Sequence, residues 1–144
     1  MEERHVVTAF LVHGSRVALF RRSEAVATYR GRWAGVSGSL EAGRSAEEQM
    51  WQEVAEETGL SCRDVWRVAR GQPLEAVDAA LNRKWVVHPF LLRIKDPTRV
   101  RLDWEHSEMK WVAPEEIATY PTVPRLWETW QRAVQAEDND PVTA

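Results

Sequence analysis

The chain has 144 residues, 28% of them charged, and a formal net charge of −3. That length suffices for one packed core and is short for two, and the mild negative balance excludes general affinity for nucleic-acid backbones or anionic membranes. No apolar run reaches a membrane span and no charged-then-apolar leader opens the chain; with Cys62 as the single cysteine, a reducing, cytoplasmic location is expected.

The first elements are strands. His5 to His13, HVVTAFLVH, is β-branched and aromatic enough for a buried strand. Gly14-Ser15 predicts a hairpin into Arg16–Phe20. Arg21, Arg22, Arg30 and Arg32 follow, opposed only by Glu24. Arginine matches phosphate oxygens by forked hydrogen bonds, so at least one of them is expected to meet an anionic ligand; the alternative is a solvated loop. Trp33 to Val36 reads as a short strand, with Trp33 either facing a ligand or packed in the core.

The most informative segment runs from Gly38 to Leu60, GSLEAGRSAEEQMWQEVAEETGL. Ser45 and Glu48 form a capping-box signature, and Gly59 stands where a left-handed residue ends a helix. Ala46, Met50 and Val54 recur at four-residue spacing, widened by Trp51, and mark the core-facing stripe. At 100° per residue, Glu53, Glu56 and Glu57 fall within an arc of roughly 100° beside that stripe. Like charges at this spacing repel. They either hold a hard divalent cation such as Mg²⁺ or form a solvated acidic face. The loop from Ser37 to Gly43 has two glycines, which let backbone approach a ligand closely.

Further along, Val65–Arg70 is a strand candidate. Lys84–Ile94, KWVVHPFLLRI, is the longest apolar run, and Pro89 within it predicts an edge or a bulge. His88 reads as a satisfied core histidine. The turn Asp103–Glu108 carries Glu105, Glu108 and His106; His106 is a candidate base or an ordinary exposed residue, and the acids read as an exposed turn. Met109–Val112 is a last short strand, and Pro114 opens a helical turn. Pro124 to Ala136 is a second helix, with Leu126, Trp127, Trp130 and Val134 on one face. Of eight tryptophans, Trp33, Trp85 and Trp104 fall where they could face a ligand, and Trp51, Trp111, Trp127 and Trp130 read as core or dimer contacts. The acidic tail after residue 136 is expected to fray.

The segment from Gly38 to Leu60 resembles the signature of the Nudix hydrolases, G-x5-E-x7-R-E-U-x-E-E-x-G-U. Gly38, Glu53, Val54, Glu56, Glu57, Gly59 and Leu60 match in register; Arg44 stands in place of the first Glu and Gln52 in place of the Arg. The resemblance extends over about residues 5 to 136 and implies an α/β (α+β) fold, an α/β/α sandwich around a mixed β-sheet. One domain over 1–136 followed by a flexible tail over 137–144 is the expected organisation. The implied activity is metal-dependent hydrolysis of a phosphoanhydride bond in a nucleoside diphosphate linked to another group. Glu53, Glu56 and Glu57 would hold Mg²⁺ or Mn²⁺, with Glu53, Glu57 and Glu105 as catalytic residues. Arg22, Arg32, Arg44 and Trp33 are the candidate substrate contacts. RGRWAGVSG, KWVVHPFLL and TVPRLWETW further resemble Nudix domains fused to sugar-phosphate isomerase-like domains, which makes a nucleotide or sugar phosphate the expected partner. A homodimer through the terminal helix is a further expectation. Arg44 is expected to reach one of the helix acids and replace the missing Arg. The alternative reading, which Arg44 and Gln52 favour, is a non-catalytic ligand sensor.

Overall fold

The computed structural model describes residues 1–140. Its strands are β1 (Glu2–His13), β2 (Arg16–Arg22), β3 (Trp33–Ala34), β4 (Val36–Ser39), β5 (Val65–Arg70), β6 (Leu74–Asp78), β7 (Arg83–Ile94) and β8 (His106–Val112). Two α-helices, α1 (Ala46–Thr58) and α2 (Leu126–Asn139), accompany them, with short 3-10 turns at Cys62–Asp64, Pro97–Arg99 and Pro114–Thr119. Among these residues no helix is long and apolar enough to cross a membrane.

The two longest strands, β1 and β7, form the parallel spine of the sheet, in register from Glu2↔Arg83 to Val12↔Arg93. Each changes its other partner midway. β1 pairs with β4 through Val6–Ala9 and with β2 at Val12 and His13, both antiparallel. β7 pairs with β6 through Arg83–Val87 and with β5 through Phe90–Ile94. β8 and β3 then add to β2. The result is one mixed sheet.

Both faces of the spine are apolar, as a sheet covered on both sides requires. Val7, Ala9, Leu11, Phe90 and Leu92 pack under α1 with Met50 and Val54. Phe10, Val12, Ala69 and Leu91 pack under α2 with Leu126, Trp130 and Ala133. This is the expected α/β/α sandwich. Helix α1 begins and ends as its sequence dictates: Ser45 and Glu48 exchange both capping-box bonds, and Gly59 closes it at φ 76°.

The structure corrects several expectations. The strand β6, Leu74–Asp78, adds to those expected from the sequence. Pro89 lies on the central spine, not at an edge. Gly71 N donates to Pro89 O (2.9 Å) where the neighbour changes from β5 to β6, so the missing N–H falls in a gap in the ladder. His88 is half-buried, not a satisfied core residue: one ring nitrogen meets His5 at 2.9 Å and Nδ1 has no partner. The tail also begins later than expected. Helix α2 runs to Asn139, and Glu137 is buried in a clamp, with Arg93 on both its oxygens (2.7 Å each) and Arg67 at 3.6 Å. The last four positions of the expected tail, 141–144, lie outside the described residues.

Two stability predictions follow from α2. Trp130 is buried and meets Phe10 edge-on at 5.3 Å. Trp130→Ala is expected to cost about 3–5 kcal/mol in urea unfolding. Deleting residues 137–144 strands Arg93 and Arg67, which are only part-buried, and is expected to cost about 2 kcal/mol, below the range for fully buried pairs. A truncated protein as stable as the full chain would show the clamp to be idle.

Candidate active site

The site forms where α1 crosses β4. Glu57 is 1% exposed and accepts from Ser37 N at 3.5 Å. One turn earlier, Glu53 lies directly over Gly38, and a Cβ added there would fall on its carboxylate. This explains the glycine: β4 must pass beneath a carboxylate with no side chain between them. Glu105 approaches from the loop before β8, and oxygens of Glu53, Glu57 and Glu105 lie within 4.8 Å of one another. Ser23 fixes that loop, its N–H donating to Glu105 O (2.7 Å) and its hydroxyl to Trp104 O (2.8 Å).

Three carboxylates this close cannot all ionise without a counter-charge. Burial, then a hydrogen bond with Glu53 and the charges of Glu105 and Glu53, pushes Glu57 up to about 11. Burial, followed by the charges of Asp103 and Glu53, raises Glu105 to about 6. Burial also raises Glu53. His106 stands behind Glu57 at 3.6 Å, and burial followed by the Arg22 charge lowers it to about 4. It is therefore neutral at pH 7 and supplies no positive charge. Glu57 Oε2 is buried without a hydrogen-bond partner. An all-oxygen donor set with one orphaned carboxylate oxygen fits a hard divalent cation.

The expected metal residues separate. Glu53 and Glu57 are in the cluster. Glu56 is exposed, accepts from Gln52 Nε2 (2.9 Å) and lines the open side of the same cleft. Glu105 joins them, whereas Glu108 turns away to Arg21 (3.4 Å).

Beside this cleft, and sharing Gly38, Ser39, Trp104 and Glu105 with it, lies a cavity of about 720 Å³. Its floor is the part of the sheet that α2 leaves bare: Arg4, Val6 and Thr8 of β1, Ala76 of β6, and Arg83, Trp85 and Val87 of β7. The loop from Ala25 to Tyr29 forms a wall. Tyr29 is tied down by donating to Asp78 (2.6 Å) and accepting from Trp85 Nε1 (3.0 Å). Arg22 lines the cavity and is held by Thr28 O (2.9 Å).

Of the expected substrate contacts, only Arg22 reaches this cavity. Arg32 is exposed and its side chain lies outside the lining. Trp33 is buried in the core under α2, edge-on to Tyr120 at 5.2 Å. Arg44 pairs with Glu41 (3.6 Å) and reaches none of the helix acids. Gln49 holds Glu53 instead. It is fully buried, accepts from Glu41 N (3.2 Å) and donates to Glu53 Oε1 (2.9 Å). Its i,i+4 relation to Glu53 is a signal that the sequence carried. Arg4, Arg83 and Tyr29 had no such local signal.

Gly38→Ala is expected to push the Glu53 carboxylate aside. The obstacle is the end of a flexible side chain, so stability should change by less than about 1 kcal/mol. The rise in melting temperature on adding Mg²⁺ should shrink. Arg44→Glu and Gln52→Arg share no partner, so their effects on Mg²⁺ affinity should add to within about 0.5 kcal/mol. Marked non-additivity would mean that Arg44 does act on the helix acids.

The NUDIX domain family matches residues 3–134. Among solved structures, the chain is similar to a MutT NUDIX hydrolase from Burkholderia pseudomallei, with TM-score 0.74, 19% identity, and 92% of this chain and 98% of that one covered. It is similar to an Ap4A hydrolase from C. elegans, with TM-score 0.77, 13% identity and 95% and 99% covered. A third is a bifunctional NMN adenylyltransferase/ADP ribose pyrophosphatase from Francisella tularensis, complexed with AMP and a Mn ion, with TM-score 0.72, 14% identity and 92% and 41% covered. With the fold, the helix acids in register and nearly the whole chain matched, the protein belongs to the NUDIX family.

Proposed function

We propose that this Nudix-type hydrolase domain cleaves a phosphoanhydride bond in a nucleoside diphosphate linked to another group. The observation that carries the reading is one of adjacency. A cluster of three acids with an orphaned buried oxygen lies at a cleft that shares Gly38, Ser39, Trp104 and Glu105 with a cavity whose lining carries aromatic and arginine side chains. The names of the similar structures, an Ap4A hydrolase and an ADP ribose pyrophosphatase among them, agree with a nucleotide substrate.

Glu53 and Glu57 would hold Mg²⁺ or Mn²⁺ from the helix, with Glu56 at the solvent side. Such an ion, when bound, polarises phosphate oxygens and lowers the pKa of a water. The chain's own residues do the rest. Gln49 fixes the Glu53 carboxylate, and Ser37 N–H holds one oxygen of Glu57. Glu105, on the opposite bank, takes the proton of the attacking water on a carboxylate oxygen. Arg22, at the junction of cleft and cavity, offers donors to a phosphate. Trp104 is 66% exposed and lines both cleft and cavity, where its ring can stack on a base or sugar.

The sensor alternative draws on Arg44 and Gln52. The hold of Gln49 on Glu53 keeps that carboxylate positioned with Gln at position 52, which supports the hydrolase; Arg44 has no structural explanation. The test is a panel of nucleotide derivatives incubated with Mg²⁺ and scored for products by anion exchange. Glu57→Gln should lose at least about a hundredfold in rate, because a charged ligand to the cation is gone. It should keep its fold, since the buried carboxyl is already held neutral without metal. Its melting temperature should no longer respond to Mg²⁺. Inactivity of the native protein across the panel, with nucleotide binding intact, would favour the sensor.

A further inference from the structure

The cavity's end farthest from the acid cluster is also built for charge. Its lining carries three arginines, Arg4, Arg22 and Arg83, against one carboxylate, Glu105. Arg22 and Glu105 lie at the cluster end. Arg4 and Arg83 lie at the other. On β1, Val7 pairs with Gly38, Arg4 is three residues away, and Glu2, the partner of Arg83, is five residues away. At a strand rise of about 3.3 Å these positions lie about 10 and 16 Å along the strand direction from the glycine beneath Glu53. One ligand engaging both ends must present different groups to each.

Arg83 has the features of a receptor whose acceptor comes from outside the chain. Its guanidinium rests over the Trp85 ring, 5.0 Å from the centroid, which fixes its plane. Its Nε is buried and has no hydrogen-bond partner. Among the described residues it makes no ion pair. The obvious partner is Asp78, its cross-strand neighbour. Asp78 is instead engaged by Tyr29 hydroxyl (2.6 Å) and Leu81 N (3.2 Å). The next carboxylate, Glu2, is paired to Arg4. A buried N–H without an acceptor is costly, and an oriented guanidinium fork matches phosphate oxygens.

We infer that Arg83, assisted by Arg4, forms a second anion site that reads a phosphomonoester carried by the substrate away from the bond that is cut. The inference rests on the cavity being the substrate site and narrows the substrate class. The preferred compounds are pyrophosphates whose nucleoside bears an additional phosphate on its sugar.

The test measures binding, so that it stands apart from hydrolysis. AMP, CMP, GMP and UMP are each titrated by calorimetry, with Mg²⁺ present, against their 3′,5′-bisphosphate counterparts and against adenosine 2′,5′-bisphosphate. In at least one pair the bisphosphate should bind at least about tenfold tighter, the effect of a charge-assisted hydrogen bond. Arg83→Gln should bring that ratio close to one. Arg83→Lys keeps the charge without the fork and should retain part of it. Arg4→Gln should lower it less. Equal binding of mono- and bisphosphates, no binding of either, or a preference that survives Arg83→Gln overturns the site. Selective bisphosphate binding by a protein that cleaves nothing would instead sink the hydrolase reading and leave the anion site standing.

Discussion

Everything at this site depends on one unfavourable fact: a carboxylic acid, Glu57, is 1% exposed with one oxygen unpartnered. Burying an ionised carboxylate alone would cost several kcal/mol, so the group either keeps its proton or finds a cation. Among the described residues no lysine or arginine makes an ion pair with Glu57, and Arg22 acts on it only at longer range. His106, which lies against it at 3.6 Å, is buried and neutral at pH 7. Arg22 is near enough to lower His106 but is bound to Thr28 O and makes no ion pair with the cluster. The fold thus tolerates a locally poor arrangement, the kind of local conflict that functional sites impose on otherwise consistent structures.

The cavity follows from the architecture of the spine. β1 and β7 have 12 residues each, against 7 in β2 and 6 in β5; the middle of β1 pairs with β4 through Val6–Ala9 and the N-terminal half of β7 with β6 through Arg83–Val87. Helix α2 covers only the C-terminal halves, over Phe10, Val12 and Leu91. The uncovered floor must be roofed by something, and Ala25–Tyr29 lies beside it without filling it. Because β4 lines the cavity through Ser37, Gly38 and Ser39 and also lies beneath Glu53 of α1, the acids and the cavity are fixed to the same strand. Gly38 is where they touch.

What the sequence disclosed was mostly local. The capping box, the left-handed Gly59 and the apolar stripe fixed α1 closely, because each depends on residues within a turn or two. The fold followed from the resemblance at Gly38–Leu60. The failures were non-local. Arg32, Arg44 and Trp33 lie close to the acids in sequence, yet strand direction turns Trp33 into the α2 core and leaves Arg32 and Arg44 in solvent. Arg4 and Arg83 enter the cavity only because β1 and β7 pair in parallel across some eighty intervening residues. Pro89 is non-local in the same way: whether a strand residue lacks a partner depends on where the neighbouring strands stop.

The site therefore has a polarity that neither end has alone. The cleft over Gly38 is acidic and attracts cations; the cavity walls carry three arginines and attract anions. A free divalent ion has no reason to occupy the cavity, and a free anion is repelled from the cleft. A ligand that satisfies both must reach the acids through a cation and the arginines directly, with an apolar or aromatic body between. Trp85, Tyr29 and Trp104 line the cavity. Phosphate groups on a flat heterocyclic body meet all three demands in one molecule, which is why the electrostatics of the walls, more than any single residue, argue for a nucleotide.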